Sequence, residues 1–401
     1  MTRPTFLALT AAAGAMALGL LAANLGSVAP RAVARTTPAA APAAPSLPAA
    51  PNAAAVVDAA NAFLASLSDE QRAVAQIALT PRLAARWTNF PGGSNLRNGV
   101  FFRELTAEQV AAALKVARLA LSEEGFTRFQ EVRAADDAFA KGGGGRGPGG
   151  RGPGGRGPGG PGGPGGSPPK GAGGPGGPGG VGKSGRGPGG PGGNFGSANY
   201  MIAFLGKPSQ TTPWLLQLGG HHLAFNIYYK GTTSAATPYH VGVQPNTWTD
   251  PDGKKHAPLA PMRDAMHDLV NSLAPDQSKR ARLDARFNDV YVGPGRDGQF
   301  PARSEGVPVS ELSDESKNLV KGAIAAWTGD SAQGAEYRTL YDAELDRTKV
   351  AYSGSTAVDD RGDYVRIDGP HVWIEFACQG SDHYHTIWRD RATDYGAEFS
   401  F

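Results

Sequence analysis

The sequence predicts an α+β fold: two tandem helix-then-antiparallel-strand units, an internal duplication forming one two-lobed globular body. Three observations predict it. Gly99-Val100-Phe101-Phe102-Arg103-Glu104-Leu105-Thr106-Ala107-Glu108 aligns without gaps on Gly306-Val307-Pro308-Val309-Ser310-Glu311-Leu312-Ser313-Asp314-Glu315, and Ser66-Leu67 with Gln71 on Ser272-Leu273 with Gln277. Further on, Ile202-Ala203-Phe204-Leu205-Gly206 aligns on Val350-Ala351-Tyr352-Ser353-Gly354, Leu218-Gly219-Gly220-His221-His222 on Ile367-Asp368-Gly369-Pro370-His371, and Tyr239-His240 on Tyr384-His385. In each copy helical spacing comes first and strand alternation follows, the order expected of antiparallel sheets packed against helices. Copy one runs over about 56–245 and copy two over about 262–401 of the duplicated domain at 56–401.

The helices announce themselves by their caps. Ser68-Asp69-Glu70-Gln71 and Thr106-Ala107-Glu108-Gln109 fit the capping box, in which a hydroxyl and a Glu or Gln satisfy the free backbone N–H groups of the first turn. After Thr106, the residues Val110, Leu114, Ala117 and Leu121 recur at helical spacing. In the second copy Ser313 caps a helix carrying Leu319, Val320, Ile324 and Trp327. The Gly/Pro-rich segments Phe90-Pro91-Gly92-Gly93 and Val292-Gly293-Pro294-Gly295 lack the Lys-Ser/Thr of a phosphate loop and read as turns.

The strands follow. Asp368-Gly369 is a hairpin signal, with Gly219-Gly220 at the matching place in the first copy. Alternation assigns Leu223, Phe225 and Ile227, and in the second copy Val372, Ile374 and Phe376, to the face that packs on the helices. His222, Ala224, Asn226 and Tyr228, with His371, Trp373 and Glu375, take the opposite face, where a partner sheet or a cleft is expected.

Outside the repeats the chain is compositionally distinct. Residues 1–34 read as a signal peptide: Arg3 precedes an apolar run from Phe6 to Leu21, and Ala32-Val33-Ala34 is a small-residue cleavage site. Residues 35–55 are an Ala/Pro-rich spacer. Residues 141–197 are Gly/Pro/Arg repeats with no aromatic except Phe195 and almost no aliphatic side chain, the composition of a disordered insert. Glu104 and Glu311 are 207 positions apart and Gly206 and Gly354 are 148 apart, so copy one carries 59 extra residues, close to the 57 of this insert. Without the seven cations of the insert the formal net charge of +3 becomes −4, and without Arg3 and Arg31 it becomes −6. The folded body is therefore mildly acidic, which argues against nucleic acid as a partner. The expected protein is exported, periplasmic or extracellular, with no stable membrane span once the leader is cleaved. Its partner is then a small molecule or polymer outside the cytoplasm. The single cysteine, Cys378, excludes an internal disulfide and reads as a buried thiol.

His383-Tyr384-His385 carries the strongest chemical signal. Residues two apart on a strand share a face, so both imidazoles can reach one ion or one substrate. His221-His222 follows the glycine pair, where a turn can bring both rings inward. These four histidines are the candidate metal ligands, and imidazole ligation suits a transition metal such as Zn, Fe or Cu. Glu375 is the candidate general base or further ligand, and Arg389 the candidate clamp for an anionic group. His240 is a weaker candidate, and His256 and His267 are left out. The bland alternative is that each is a structural, hydrogen-bonded strand histidine.

Leu218-Gly219-Gly220-His221-His222-Leu223, Val372-Trp373-Ile374-Glu375-Phe376 and His383-Tyr384-His385-Thr386-Ile387-Trp388-Arg389-Asp390 with Asp394-Tyr395-Gly396 resemble the uncharacterised family catalogued as domain of unknown function 3500. The resemblance covers nearly the whole chain outside leader, spacer and insert. It implies an exported protein and assigns no reaction and no catalytic residue. In that family the position of His371 is often Arg, which favours His221, His222, His383 and His385 as the metal set.

Three functions compete at this point. One is a metal-dependent enzyme, hydrolytic or redox, with an open coordination position. The second is a non-catalytic extracytoplasmic metal- or ligand-binding protein with a closed site. The third is a metal-free acid–base enzyme, although neither G-x-S-x-G nor a convincing Ser-x-x-Lys is present.

Overall fold

The computed structural model describes residues 46–91, 96–142 and 195–401. The expected signal peptide at 1–34, residues 35–45 of the expected spacer and residues 143–194 of the expected insert lie outside them. The fold is α+β. In chain order the first half contains α1 (Ala53–Ala65), α2 (Asp69–Ala75), β1 (Gln76–Ile77), α3 (Pro81–Ala84), β2 (Val100–Phe101), α4 (Ala107–Ala120), α5 (Glu123–Lys141), β3 (Met201–Leu205), β4 (Trp214–Gly220), β5 (Leu223–Lys230), β6 (Thr233–Ala235) and β7 (Tyr239–Val243). A small hairpin of β8 (Trp248–Thr249) and β9 (Lys255–His256) follows. The second half contains α6 (Ala260–Asn271), α7 (Pro275–Ala281), β10 (Val307–Pro308), α8 (Asp314–Thr328), α9 (Gly334–Ala343), β11 (Lys349–Ser353), β12 (Tyr364–Asp368), β13 (Val372–Gly380) and β14 (His383–Asp390).

The caps form as the sequence dictates. Gln71 N donates to Ser68 Oγ at 3.2 Å while Ser68 N donates to Gln71 Oε1 at 3.0 Å. The Thr106–Gln109 pair does the same at 3.3 and 3.0 Å, and Ser316 N donates to Ser313 Oγ at the start of α8. At α7 only half the box exists, because Ala274 has no hydroxyl; Gln277 Oε1 still accepts from Ala274 N at 3.0 Å. The spare amide of each Gln closes the next turn of chain: Gln71 Nε2 donates to Glu104 O at 2.6 Å, and Gln277 Nε2 to Glu311 O at 2.8 Å.

The two halves share one sheet, of strand order β1-β3-β4-β5-β7-β14-β13-β12-β11-β10, antiparallel except for the β1–β3 pair. The halves meet where β7 pairs with β14, with His385 opposite Gly242. The helices cover one face. Leu223, Phe225, Ile227, Val372, Ile374 and Phe376 point into this core with Phe63, Val116 and Trp327, as the alternation predicts. Gly99 and Gly306, both at positive φ, bring the chain against the carbonyls of Ile202 and Val350, where a Cβ has no room.

The opposite face is neither a second sheet nor an open cleft. Ala84 of α3 and the loop residues Trp87, Leu283, Phe287 and Val290 cover it, together with Tyr395 and Phe399 of the C-terminal segment. The end of the expected spacer is also structured. Ala50 is 1% exposed, its N–H donates to Thr232 O at 2.7 Å, and α1 begins at Ala53. Alanine side chains are small enough for this packing beside β6, so composition alone misreads them as linker. Cys378 is a buried free thiol, pushed up to about 12 by burial. Among the described residues no helix is long and apolar enough to cross a membrane.

Two hairpins differ from the sequence expectation. Gly219 and Gly220 belong to β4, and Gly220 pairs with Leu223, so the two turn residues are His221 and His222 themselves. Gly220 is required because a Cβ would lie 2.6 Å from the Tyr200 ring. In the second half Asp368 pairs with Trp373, and Gly369 N donates to Val372 O at 2.8 Å, so the turn runs over 369–371. The alignment of Tyr239-His240 on Tyr384-His385 is also displaced. Ala224 pairs with His240, and Trp373 pairs with Arg389. The offset of 149 that relates Leu223 to Val372 therefore relates His240 to Arg389, and since Tyr228 pairs with Ala235 as Ala377 pairs with His385, the counterpart of His385 is Ala235.

Candidate metal centre

The β4–β5 turn delivers one imidazole, and the first residues of β14 deliver two. His222 adopts a left-handed backbone, φ 64°, which swings its ring off the sheet end and over β7. Gly242 makes this possible: a Cβ there would meet His385 Cδ2 at 2.8 Å, Tyr384 O at 2.8 Å and His222 Cδ2 at 3.1 Å. Gly242 N donates to His222 O at 2.6 Å, and His222 N to Asn89 O at 3.1 Å, so both sides of the turn are held.

The three rings converge through one kind of atom. His222 Nε2 lies 2.8 Å from His383 Nε2, which lies 2.9 Å from His385 Nε2. His222 and His385 are buried, and His383 is half-buried at the edge. Behind His385, Asp289 Oδ1 is 2.8 Å from Nδ1, with Asn89 Nδ2 at 3.3 Å. Burial, the largest single influence, tends to raise the Asp289 carboxyl, but the hydrogen bond and charge of His385, with His240 and the Val290 N–H, together hold the group below the usual carboxylate range. Burial, followed by the neighbouring imidazoles, pushes His222 well below the ordinary histidine range and His383 down to about 3. These two rings are therefore neutral near pH 7.

Protons alone do not account for this geometry. An ionised carboxylate only accepts, so His385 carries a hydrogen at Nδ1 facing Asp289, and in the neutral ring Nε2 then carries a lone pair. The 2.9 Å contact is then a hydrogen bond only if His383 Nε2–H donates to it. That nitrogen has then no lone pair left to accept from His222 at 2.8 Å. If His383 instead accepts from His222, two lone pairs face each other at 2.9 Å. In the neutral tautomers the single Nε2–H of His383 can be aimed fully at only one of its two neighbours, whereas a cation shared by three lone pairs suits both contacts.

His221 turns the other way. Its Nδ1 is 2.6 Å from Asp136 Oδ1, and Asp136 Oδ2 accepts from Gly196 N at 2.8 Å. Tyr200 OH donates to His221 O at 2.7 Å. The ring lies 3.6 Å, centroid to centroid, from that of His222, and Phe195 packs edge-on to it. Among the described residues, two groups have ligand atoms close enough for one ion: His222 with His383 and His385, and Asp136 with His221 and His222.

Glu375 and Arg389 do not join the imidazoles in the roles expected of them. Glu375 is fully buried and accepts from Val292 N at 2.8 Å, Trp373 Nε1 at 2.6 Å, Tyr364 OH at 2.9 Å and Tyr291 N. Burial raises its carboxyl despite these donors. Arg389, also fully buried, donates to Val292 O at 2.7 Å, Asp297 at 3.1 Å and Asp394 at 2.8 Å. Glu375 sits on the sheet face assigned to it by alternation and Arg389 shares that face, but the loop over 291–297 covers it and uses their hydrogen bonds. They brace this loop against the sheet and have no free atom for a substrate.

His371 binds Glu344 at 2.7 Å, away from the cluster. His256 lies between Asp250 and Glu131, stacked on Trp248, a structural role. His240 is fully buried beside Trp87 and His385, and neither ring nitrogen makes a regular hydrogen bond. Sequence reasoning missed Asp289, Asn89, Asp136 and Gly242. Asp289 and Asn89 lie in loops without a motif, while Gly242 follows His240 in the strand with a spacing that carries no signal.

The pattern of the family described as Protein of unknown function (DUF3500) matches residues 49–397. The chain belongs to this family. The match takes in both halves of the sheet, and with them all three imidazoles of the DUF3500 cluster in this chain. No curated protein and no solved structure matches it.

Proposed function

We propose that this DUF3500 protein is a metalloprotein in which His222, His383 and His385 bind a divalent transition metal through Nε2, with coordination positions left open for catalysis. The single observation that carries this reading is the pair of Nε2···Nε2 contacts at 2.8 and 2.9 Å on one shared nitrogen, which a single proton there serves only in part. The carboxylate on His385 Nδ1 supports it, since metal-bound histidines commonly donate their other N–H to an acceptor that fixes ring and tautomer. The metal would polarise a bound oxygen or lower the proton affinity of a bound water. A second reading, a closed and non-catalytic site, is favoured by His240, whose unpartnered ring lies 5.5 Å from His385, centroid to centroid.

Elemental analysis of the purified mature protein, beside His383→Ala and His385→Ala, tests the proposal. One equivalent of metal in the parent and its loss in both folded variants is expected; a metal-free parent that binds none on titration overturns it.

We propose further that the protein is exported and that its halves arose by duplication. The leader composition supports export, and a mature N-terminus following Ala34 is the expected result of sequencing the secreted chain. The matching Gln71–Glu104 and Gln277–Glu311 bonds support duplication, as does the glycine pair Gly99 and Gly306.

A further inference from the structure

From the nitrogen spacings we infer that the ion at His222, His383 and His385 is five- or six-coordinate, with adjacent open positions that take an anionic ligand through two oxygen atoms. This rests on the metal-centre reading above. At metal–nitrogen lengths of about 2.0–2.1 Å, ligands at the tetrahedral angle stand about 3.3–3.4 Å apart, and ligands at right angles about 2.8–3.0 Å. The observed separations, 2.8 and 2.9 Å, match the right-angled case at both edges that share His383. A tetrahedral zinc site would need both edges to widen, a movement that falls on the shared His383 because the rings on either side are held. Asp289 and Asn89 hold His385 from behind, and the His222 turn is tied to Asn89 O and Gly242 N. Three nitrogens at such angles leave two or three positions vacant on a five- or six-coordinate ion.

Charge names the class of ligand. The three donors are imidazoles, so a divalent ion keeps its full charge within the first shell. The nearest carboxylates, Asp289 and Asp136, stand behind His385 and His221 and are bonded to their Nδ1 atoms. A dianion chelating through two oxygens neutralises the ion and fills neighbouring positions together. The half-buried His383 sets the open side of the cluster toward solvent. A carboxylate paired with a second carboxylate has the required form.

Cobalt(II) tests this, because its visible absorption is intense in four-coordinate tetrahedral sites and weak in five- or six-coordinate ones. The full mature chain, stripped of metal, is titrated with Co²⁺ and then with oxalate. The expected result is one bound Co²⁺ with weak bands that shift when oxalate is added. Stoichiometric Co²⁺ with intense tetrahedral bands overturns the coordination inference and leaves the metal centre standing. Weak bands unmoved by oxalate overturn the open positions. No bound Co²⁺ overturns the metal centre itself. His383→Ala, shown to be folded by circular dichroism, must lose the spectrum; if it keeps it, the cobalt lies elsewhere and the inference fails.

Discussion

His222 and His383 are 161 residues apart and hold their Nε2 atoms 2.8 Å from each other. One belongs to the tight turn of the first half and the other to the first position of the last strand. They meet because β7 and β14 are neighbours at the centre of the sheet, and because Gly242 on β7 leaves room above it. The centre therefore exists only when the two halves are joined.

Asp289 is expected to tune this centre from behind. In Asp289→Asn the carboxylate on His385 Nδ1 is lost, and metal affinity should fall about 10–100-fold with the fold intact. Competitive titration against a chelating dye measures this. An unchanged affinity would show that Asp289 only fills space.

Gly242→Ala places a methyl group against both His222 and His385. The expected outcome is overpacking that costs about 1–3 kcal/mol, with metal affinity reduced because the rings separate. Thermal melting in the presence of chelator isolates the packing cost, and metal titration gives the second effect. Full affinity in this variant would mean that the rings are not held against β7.

Glu375→Ala should act on stability and not on the metal. It leaves Val292 N, Trp373 Nε1 and Tyr364 OH without their acceptor in a buried site, at a cost of about 3 kcal/mol or more. Urea unfolding checks the loss. Metal stoichiometry of the folded fraction should remain that of the parent; selective loss of metal at full stability would return Glu375 to the site.

Acid should destabilise the metal-free protein earlier than carboxylates alone predict. Burial first, then the neighbouring imidazoles, holds His222 and His383 below the ordinary range; burial, then His385, holds His240 down at about 3. The unfolded chain takes up protons at these residues below about pH 6.5 while the folded chain does not, so stability falls as pH drops. Each group contributes about 1.4 kcal/mol per pH unit within that window. Melting between pH 7 and 5 should show the slope, and His240→Gln should reduce it by about a third. A flat profile would place these rings in contact with water.

Much of the fold is legible because it depends on local chemistry. The boxes at Ser68 and Thr106, the apolar faces of β5 and β13 and the burial of Cys378 each follow from residues a few positions apart. The same local logic places His383 and His385 on one face and allows His222 to turn inward. It also assigns Glu375 to the face opposite the helices, where it is found.

What covers that face was decided by the tertiary structure. Whether a polar strand face meets solvent, substrate or a loop depends on a segment such as 283–298, which has no pattern of its own and docks because sheet carboxylates and guanidinium groups satisfy its backbone. Register was decided there too, since the offset of 149 that pairs His240 with Arg389 is fixed by hydrogen bonds between strands. The sequence by itself determined which residues become helices, strands and imidazole donors, because those choices rest on neighbours in the chain. The tertiary structure alone decided that Asp289 stands behind His385 and that His221 leaves the cluster for Asp136, because each of those contacts joins segments 85 or more residues apart.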